Sequence, residues 1–128
     1  KYIEESGTMN IAFIIDGTLV TPALTDSILP GVTRKSVLKI ARQWGLPVEE
    51  RKISVAELVD AYKSGRLQDA FGLGTAATLI QIESITYNGE EFVLPELPSR
   101  EISNRLANYL RRLKRGLEED TFNWLLRI

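Results

Sequence analysis

Three short stretches hold residue types whose spacing could do chemistry. Glu4-Glu5-Ser6-Gly7-Thr8-Met9-Asn10 sets two carboxylates ahead of a glycine and a threonine. Leu29-Pro30-Gly31-Val32-Thr33-Arg34 sends a Pro-Gly turn into the start of a helix. The first N–H groups of a helix lack internal partners, and its dipole adds about half a positive charge there, so such an end takes a phosphate readily. Gly31 lets a ligand approach the backbone, and Thr33 adds a hydroxyl. Phe71-Gly72-Leu73-Gly74-Thr75-Ala76-Ala77 follows a strand with small residues, whose N–H groups can donate to something brought close. No Gly-Lys-Ser/Thr follows, so this is not a Walker loop. Read singly, the first stretch is equally an exposed acidic pair, the second an ordinary helix cap, the third a tight connection. A carboxylate buried there would need a cationic partner.

Composition narrows the chemistry. The 128 residues carry 16 basic and 17 acidic side chains, a net charge of -1, and neither histidine nor cysteine. Within this chain that excludes disulfides, Cys/His zinc sites, Ser-His-Asp triads and Cys-His dyads, and no metal site is expected. Carboxylates, hydroxyls, lysines and backbone N–H groups remain, which favours a cofactor that brings its own reactivity. The charge balance offers no broad positive field for nucleic acid or an anionic membrane, and no apolar run is long enough for a membrane span. A basic run, Arg111-Arg112-Leu113-Lys114-Arg115, is followed by Glu118-Glu119-Asp120 and reads as a solvated helix face.

The elements that must position the three stretches follow from periodicity and turn chemistry. Met9–Ile15 and Thr18–Thr21 read as strands joined by Asp16-Gly17, a pair suited to a type I′ turn, with Pro22 ending the second. A helix is expected from an N-cap at Thr33, with Val37, Ile40, Ala41 and Trp44 on one face and Gly45 at its end. Pro47–Ile53 reads as a strand, and Ser54 with Glu57 as a capping box for a helix bearing Val55, Leu58, Val59 and Tyr62 and closed by Gly65. Leu67–Phe71 is a buried strand leading into the glycines. Residues Leu79 to Tyr87 lead to a second type I′ turn at Asn88-Gly89. A last helix over about Ser99–Leu117 places Ile102, Leu106, Tyr109 or Leu110, and Leu113 on one face, Gly116 fraying its end. The tail Thr121–Ile128 is apolar enough to dock back. The sum is one α+β domain of antiparallel hairpins with packed helices rather than a doubly wound parallel sheet.

Taken together, in this order and at these separations, Glu5-Ser6-Gly7-Thr8-Met9-Asn10, Leu29-Pro30-Gly31-Val32-Thr33-Arg34 and Phe71-Gly72-Leu73-Gly74-Thr75-Ala76-Ala77 resemble the branched-chain-amino-acid aminotransferases, fold-type IV pyridoxal-phosphate enzymes. The resemblance covers nearly the whole chain, fading in the last helix and tail. It corresponds to the C-terminal, cofactor-binding domain of that enzyme, here residues 1–128. It implies that Glu5 pairs with the pyridine nitrogen of the cofactor. It implies that Val32, Thr33 and Thr75 hold the cofactor phosphate. Thr8, Ala76 and Ala77 match substrate positions, with the Ala76 N–H on the α-carboxylate. Leu73 stands where relatives often carry serine or another small residue.

The family's Schiff-base lysine and a phosphate-binding arginine lie upstream of the Glu5 motif. None of Lys35, Lys39, Lys52, Lys63 and Lys114 has a matching context, so no catalytic residue is expected in this chain. A chain starting at Lys1 then reads as cut just downstream of the catalytic lysine, and as inactive alone. What the resemblance implies for the parent is transfer of amino groups between Leu, Ile or Val and 2-oxoglutarate, by a cytoplasmic homodimer using pyridoxal 5'-phosphate. Its partners are then amino acids and 2-oxo acids, not nucleic acid or membrane. The alternatives are a D-amino-acid aminotransferase or aminodeoxychorismate lyase of the same fold type, or a non-enzymatic domain binding nucleic acid or another partner through the basic helix.

Overall fold

A computed structural model describes residues 2–3, 5–6, 9–22, 32–74 and 78–119 of the chain. In chain order the elements are β1 (Tyr2–Ile3), β2 (Glu5–Ser6), β3 (Met9–Ile15), β4 (Thr18–Thr21), α1 (Val32–Gln43), β5 (Val48–Glu50), β6 (Ile53–Ser54), α2 (Val55–Lys63), β7 (Leu67–Gly74), β8 (Thr78–Gln81), β9 (Ser84–Tyr87), β10 (Glu90–Val93) and α3 (Glu101–Glu119), with a 3-10 turn at Leu97–Ser99 before the last helix. The fold is mixed α+β, as expected.

The central sheet runs β5-β4-β3-β7-β8, and β2 adds to β3. A strand has two hydrogen-bonding edges. On β3, one edge is taken by β7 over Asn10–Ile15, and the other is shared between β2 at Met9–Asn10 and β4 at Phe13–Ile15. The run Ile11–Ile15 is apolar at every position because both faces are covered. Ile11, Phe13 and Ile15 pack with Leu58 and Ala61 of α2. Ala12 and Ile14 pack with Val37, Leu38 and Ala41 of α1 and Leu106 and Leu110 of α3.

Both glycine turns form as expected. Asp16 and Gly17 take φ of 51° and 74°, and Asn88 and Gly89 take 51° and 76°, the pair of positive values a type I′ turn demands. The Ser54 hydroxyl accepts the Glu57 N–H at 3.0 Å, capping α2.

Several expectations need correction. Val32, not Thr33, opens α1, so Thr33 lies inside the first turn. The strand expected over Pro47–Ile53 breaks at Arg51-Lys52. The Arg51 N–H makes the last rung of the β4–β5 ladder, to the Thr21 carbonyl at 3.0 Å, and Ile53-Ser54 pairs with β1 instead. The stretch before Asn88-Gly89 is interrupted at Ile82-Glu83, just after the Ile82 N–H makes a last in-register bond of the β7–β8 ladder, to Ala70 at 2.9 Å. β7 continues through Gly72 to Gly74. The last helix begins at Glu101, because Pro98 sits in the preceding 3-10 turn, and it continues past Gly116. One pairing is parallel, β4 with β5. α1 is the crossover that a parallel neighbour requires. The tail Thr121–Ile128 lies outside the described residues.

Candidate functional site

Sheet register brings the three stretches to one end of the sheet. Glu5 pairs with Asn10, Asn10 with Leu73, and Leu73 with Leu79, a row across β2, β3, β7 and β8. Asn10 and Leu73 are buried, and Leu73 packs in the core with Phe71 and Leu79. Beyond this row the β7–β8 hairpin ends at Gly74 paired with Thr78.

β4 carries the same end of the sheet to α1. The Thr21 hydroxyl donates to the Ile11 carbonyl at 2.7 Å, beside Asn10. The next carbonyl, of Pro22, accepts from Arg34 Nη2 at 3.1 Å. Arg34 stands in the first turn of α1 and is 4% exposed. Its Nη2 also donates to Glu50 Oε1 at 3.0 Å, and Arg42 reaches Glu50 Oε2 at 2.8 Å. The Arg42 bond holds the Glu50 carboxyl below the usual carboxylate range; burial pushes it up, and the bond and charge of Arg34, together with the charge of Arg42, pull it back down. Among the described residues, the buried Arg34 Nε has no hydrogen-bond partner.

The first turn of α1 contains no acidic residue. Thr33 is buried there. The helix end therefore brings together first-turn N–H groups and a hydroxyl, with no acidic residue in that turn, while the Arg34 charge is matched by Glu50. That donor set suits a phosphate.

Of the expected site residues, the structure places Glu5 in β2 and Val32 and Thr33 at the start of α1. Thr8, Thr75, Ala76 and Ala77 lie outside the described residues. Lys35, Lys39, Lys52 and Lys63 are all exposed, three of them on helices and Lys52 between strands. Arg111, Arg112 and Arg115 are exposed on α3, as a solvated face requires.

Sequence reasoning passed over a buried polar group at the start of α3. Asp69, 2% exposed on β7, accepts the Ala70 N–H at 2.9 Å and the Ser103 N–H at 3.0 Å. Arg100 stands 3.6 Å from it. Burial pushes the Asp69 carboxyl above its ordinary range, and the bonds from Ser103, the charge of Arg100 and the Ala70 N–H pull it back. Two signals were available: an aspartate inside the apolar run Leu67–Phe71, and an arginine directly before a helix.

A family model, amino-transferase class IV, matches residues 1–85. The branched-chain-amino-acid aminotransferase 2 of Bacillus subtilis is 42% identical over 124 residues, covering 97% of this chain and 34% of that protein. The crystal structure of a branched-chain aminotransferase from Thermoproteus uzoniensis with norvaline superposes with a TM-score of 0.72 at 35% identity, over 96% of this chain and 37% of that one. A branched-chain amino acid aminotransferase from Thermobaculum terrenum, solved in its PLP-form, matches with a TM-score of 0.63 at 28% identity, over 85% of this chain and 34% of that one. The chain thus spans about a third of the length of the relatives it matches. With its matched segment, its α+β sheet and the convergence of its three motifs in agreement, the chain belongs to the class IV amino-transferases.

Proposed function

We propose that the protein containing this chain is a pyridoxal-phosphate transaminase moving amino groups between Leu, Ile or Val and 2-oxoglutarate, as a cytoplasmic homodimer. In this reading residues 1–128 are its C-terminal cofactor-binding domain, and the Schiff-base lysine comes from outside them. The observation that carries the reading is the convergence of Glu5, the α1 N-terminus and the end of β7 at one end of the sheet.

Bound pyridoxal phosphate supplies an electron sink for the charge left when a proton is removed from the substrate Cα. The chain's part is to bind and to hold charge. Glu5 holds the proton on the pyridine nitrogen, and that cation in turn offsets the cost of placing a carboxylate there. The N–H groups of Val32 and Thr33, at the positive end of α1, bind the phosphate, joined by the Thr75 hydroxyl. The Ala76 N–H binds the substrate α-carboxylate, with Thr8 and Ala77 against the substrate. Support for the cofactor comes from the first turn of α1, which carries no acidic residue, and from the relative solved in its PLP-form.

The test is Glu5→Gln in the full-length protein. It keeps the shape and loses the charge, so turnover with leucine and 2-oxoglutarate should fall severely while folding and bound-cofactor absorbance persist. Full-rate turnover overturns the role of Glu5. A preference for D-amino acids, or lyase activity on aminodeoxychorismate, overturns the substrate assignment. The isolated 128 residues should show no aminotransfer, and salt-dependent nucleic-acid binding should be negligible at about 100 mM salt.

A further inference from the structure

β7 and β8 are the two arms of the hairpin that closes at Gly74 and Thr78. Four residue pairs join the arms, from Phe71 with Gln81 to Gly74 with Thr78. This ladder is soft on its own. β7 carries glycines at positions 72 and 74, which pack nothing, and β8 is an edge strand with no buried residue.

Both arms are tied at their base to one residue of α3. From β7, Asp69 accepts the Ser103 N–H at 3.0 Å. From β8, Gln81 Nε2 donates to Ser103 Oγ at 2.7 Å and to Asn104 Oδ1 at 2.9 Å. Ser103 is fully buried. Arg100 backs Asp69 and is itself fixed by its Nε on the Pro95 carbonyl at 2.7 Å. A buried carboxylate is a costly way to gain stability, and apolar residues would fill the same space more cheaply. What directional bonds add is register: a slip of either arm by one residue would break its bond to α3.

We infer that Ser103, holding Asp69 and Gln81, is a polar clamp that fixes both arms of the β7–β8 hairpin and so positions the connection between them for the cofactor phosphate and the substrate carboxylate. Asp69, Gln81 and Ser103 are positioning residues that act through the two strands. The inference rests on the reading of Thr75 and Ala76 proposed above.

The experiment uses the full-length protein and three variants. Gln81→Met keeps the length of a half-buried side chain and removes the donor. Ser103→Ala removes the shared hydroxyl. Tyr62→Phe is the control, removing a hydroxyl that accepts the Val93 N–H at 3.2 Å on another part of the molecule. Gln81→Met and Ser103→Ala should each weaken pyridoxal-phosphate binding about fivefold in a titration and speed amide hydrogen exchange in the peptide covering residues 72–78. The double variant should do less harm than the sum of the two, since both remove the Gln81–Ser103 bond, and should exceed Ser103→Ala only by the loss of the Gln81–Asn104 bond. Tyr62→Phe should lower the melting temperature and leave both readouts unchanged. The clamp is overturned if the two variants lower only the melting temperature, as the control does. Wild-type protein that binds no pyridoxal phosphate overturns the proposed function. In that case faster exchange at 72–78 in the variants would still report the clamp's hold on the hairpin, and unchanged exchange would overturn it too.

Discussion

Arg34 Nη2 lies 3.0 Å from Glu50 Oε1, joining the first turn of α1 to the end of β5, while the same nitrogen holds the Pro22 carbonyl at the end of β4. One guanidinium therefore fixes where α1 begins relative to two strands. Arg34→Met should destabilise the protein by about 1–3 kcal/mol in denaturant unfolding, because the Pro22 carbonyl loses its charged donor. The cost stays below that of a fully buried pair, since Glu50 is one-third exposed and keeps Arg42. A neutral Arg34→Met would show that the pair does not hold the helix.

Glu57 and Arg51 give an acid-side prediction. Their bonds run at 2.9 and 2.6 Å and hold the Glu57 carboxyl below its ordinary range. A lowered folded value means that the unfolded chain binds the proton first. The stabilisation is thus complete above the ordinary carboxylate range near 4.5 and is lost as pH falls through the lower folded value. Both side chains are more than a third exposed, so the effect is about 0.2–1 kcal/mol. Glu57→Gln should flatten this part of a stability-against-pH curve, and an unchanged slope would count against the pair.

Asp69 should act with the opposite sign. Burial raises its carboxyl, so the folded chain binds the proton before the unfolded chain does. Its contribution grows as pH falls through the raised folded value and levels off below the ordinary value of 3.8. Asp69→Asn should remove that gain, leaving a curve that falls more steeply on the acid side than the wild type. A variant curve parallel to the wild type would show that Asp69 keeps an ordinary carboxyl in the fold.

Gly17 separates backbone strain from crowding. At φ of 74°, a Cβ would meet nothing within 4 Å. Gly17→Ala should cost about 1–2 kcal/mol from the left-handed backbone alone, and Gly17→Asn less, because asparagine tolerates that region. Equal costs for the two variants would point to something other than backbone conformation.

Much of the fold was legible because local chemistry decided it. Asp16-Gly17 and Asn88-Gly89 specify their turns, Ser54 its cap, and the runs Val37–Trp44 and Ile102–Leu113 their buried faces. The misses arose where a distant partner overrode local preference. The strand splits at Arg51-Lys52 because Ile53-Ser54 finds β1, about fifty residues away in sequence. The parallel pairing of β4 with β5 was hidden for the same reason. At the site, the order of the motifs was readable as a resemblance. The Arg34–Glu50 and Asp69–Ser103 contacts were not, because each joins residues whose proximity only the folded sheet creates.

The two-edged pairing of β3 sets the order in which this molecule can assemble. Its edge toward β4 is satisfied by a neighbour only a turn away, whereas its partner on the other edge, β7, arrives about sixty residues later. On a ribosome, the β3–β4 hairpin emerges with one flank open, and α1, β5 and α2 must all be synthesised before that flank closes. The row through Glu5, Asn10 and Leu73 is completed in the same step. A nascent chain halted before residue 74 therefore carries a bare apolar strand edge, and that interval is when it most needs a chaperone.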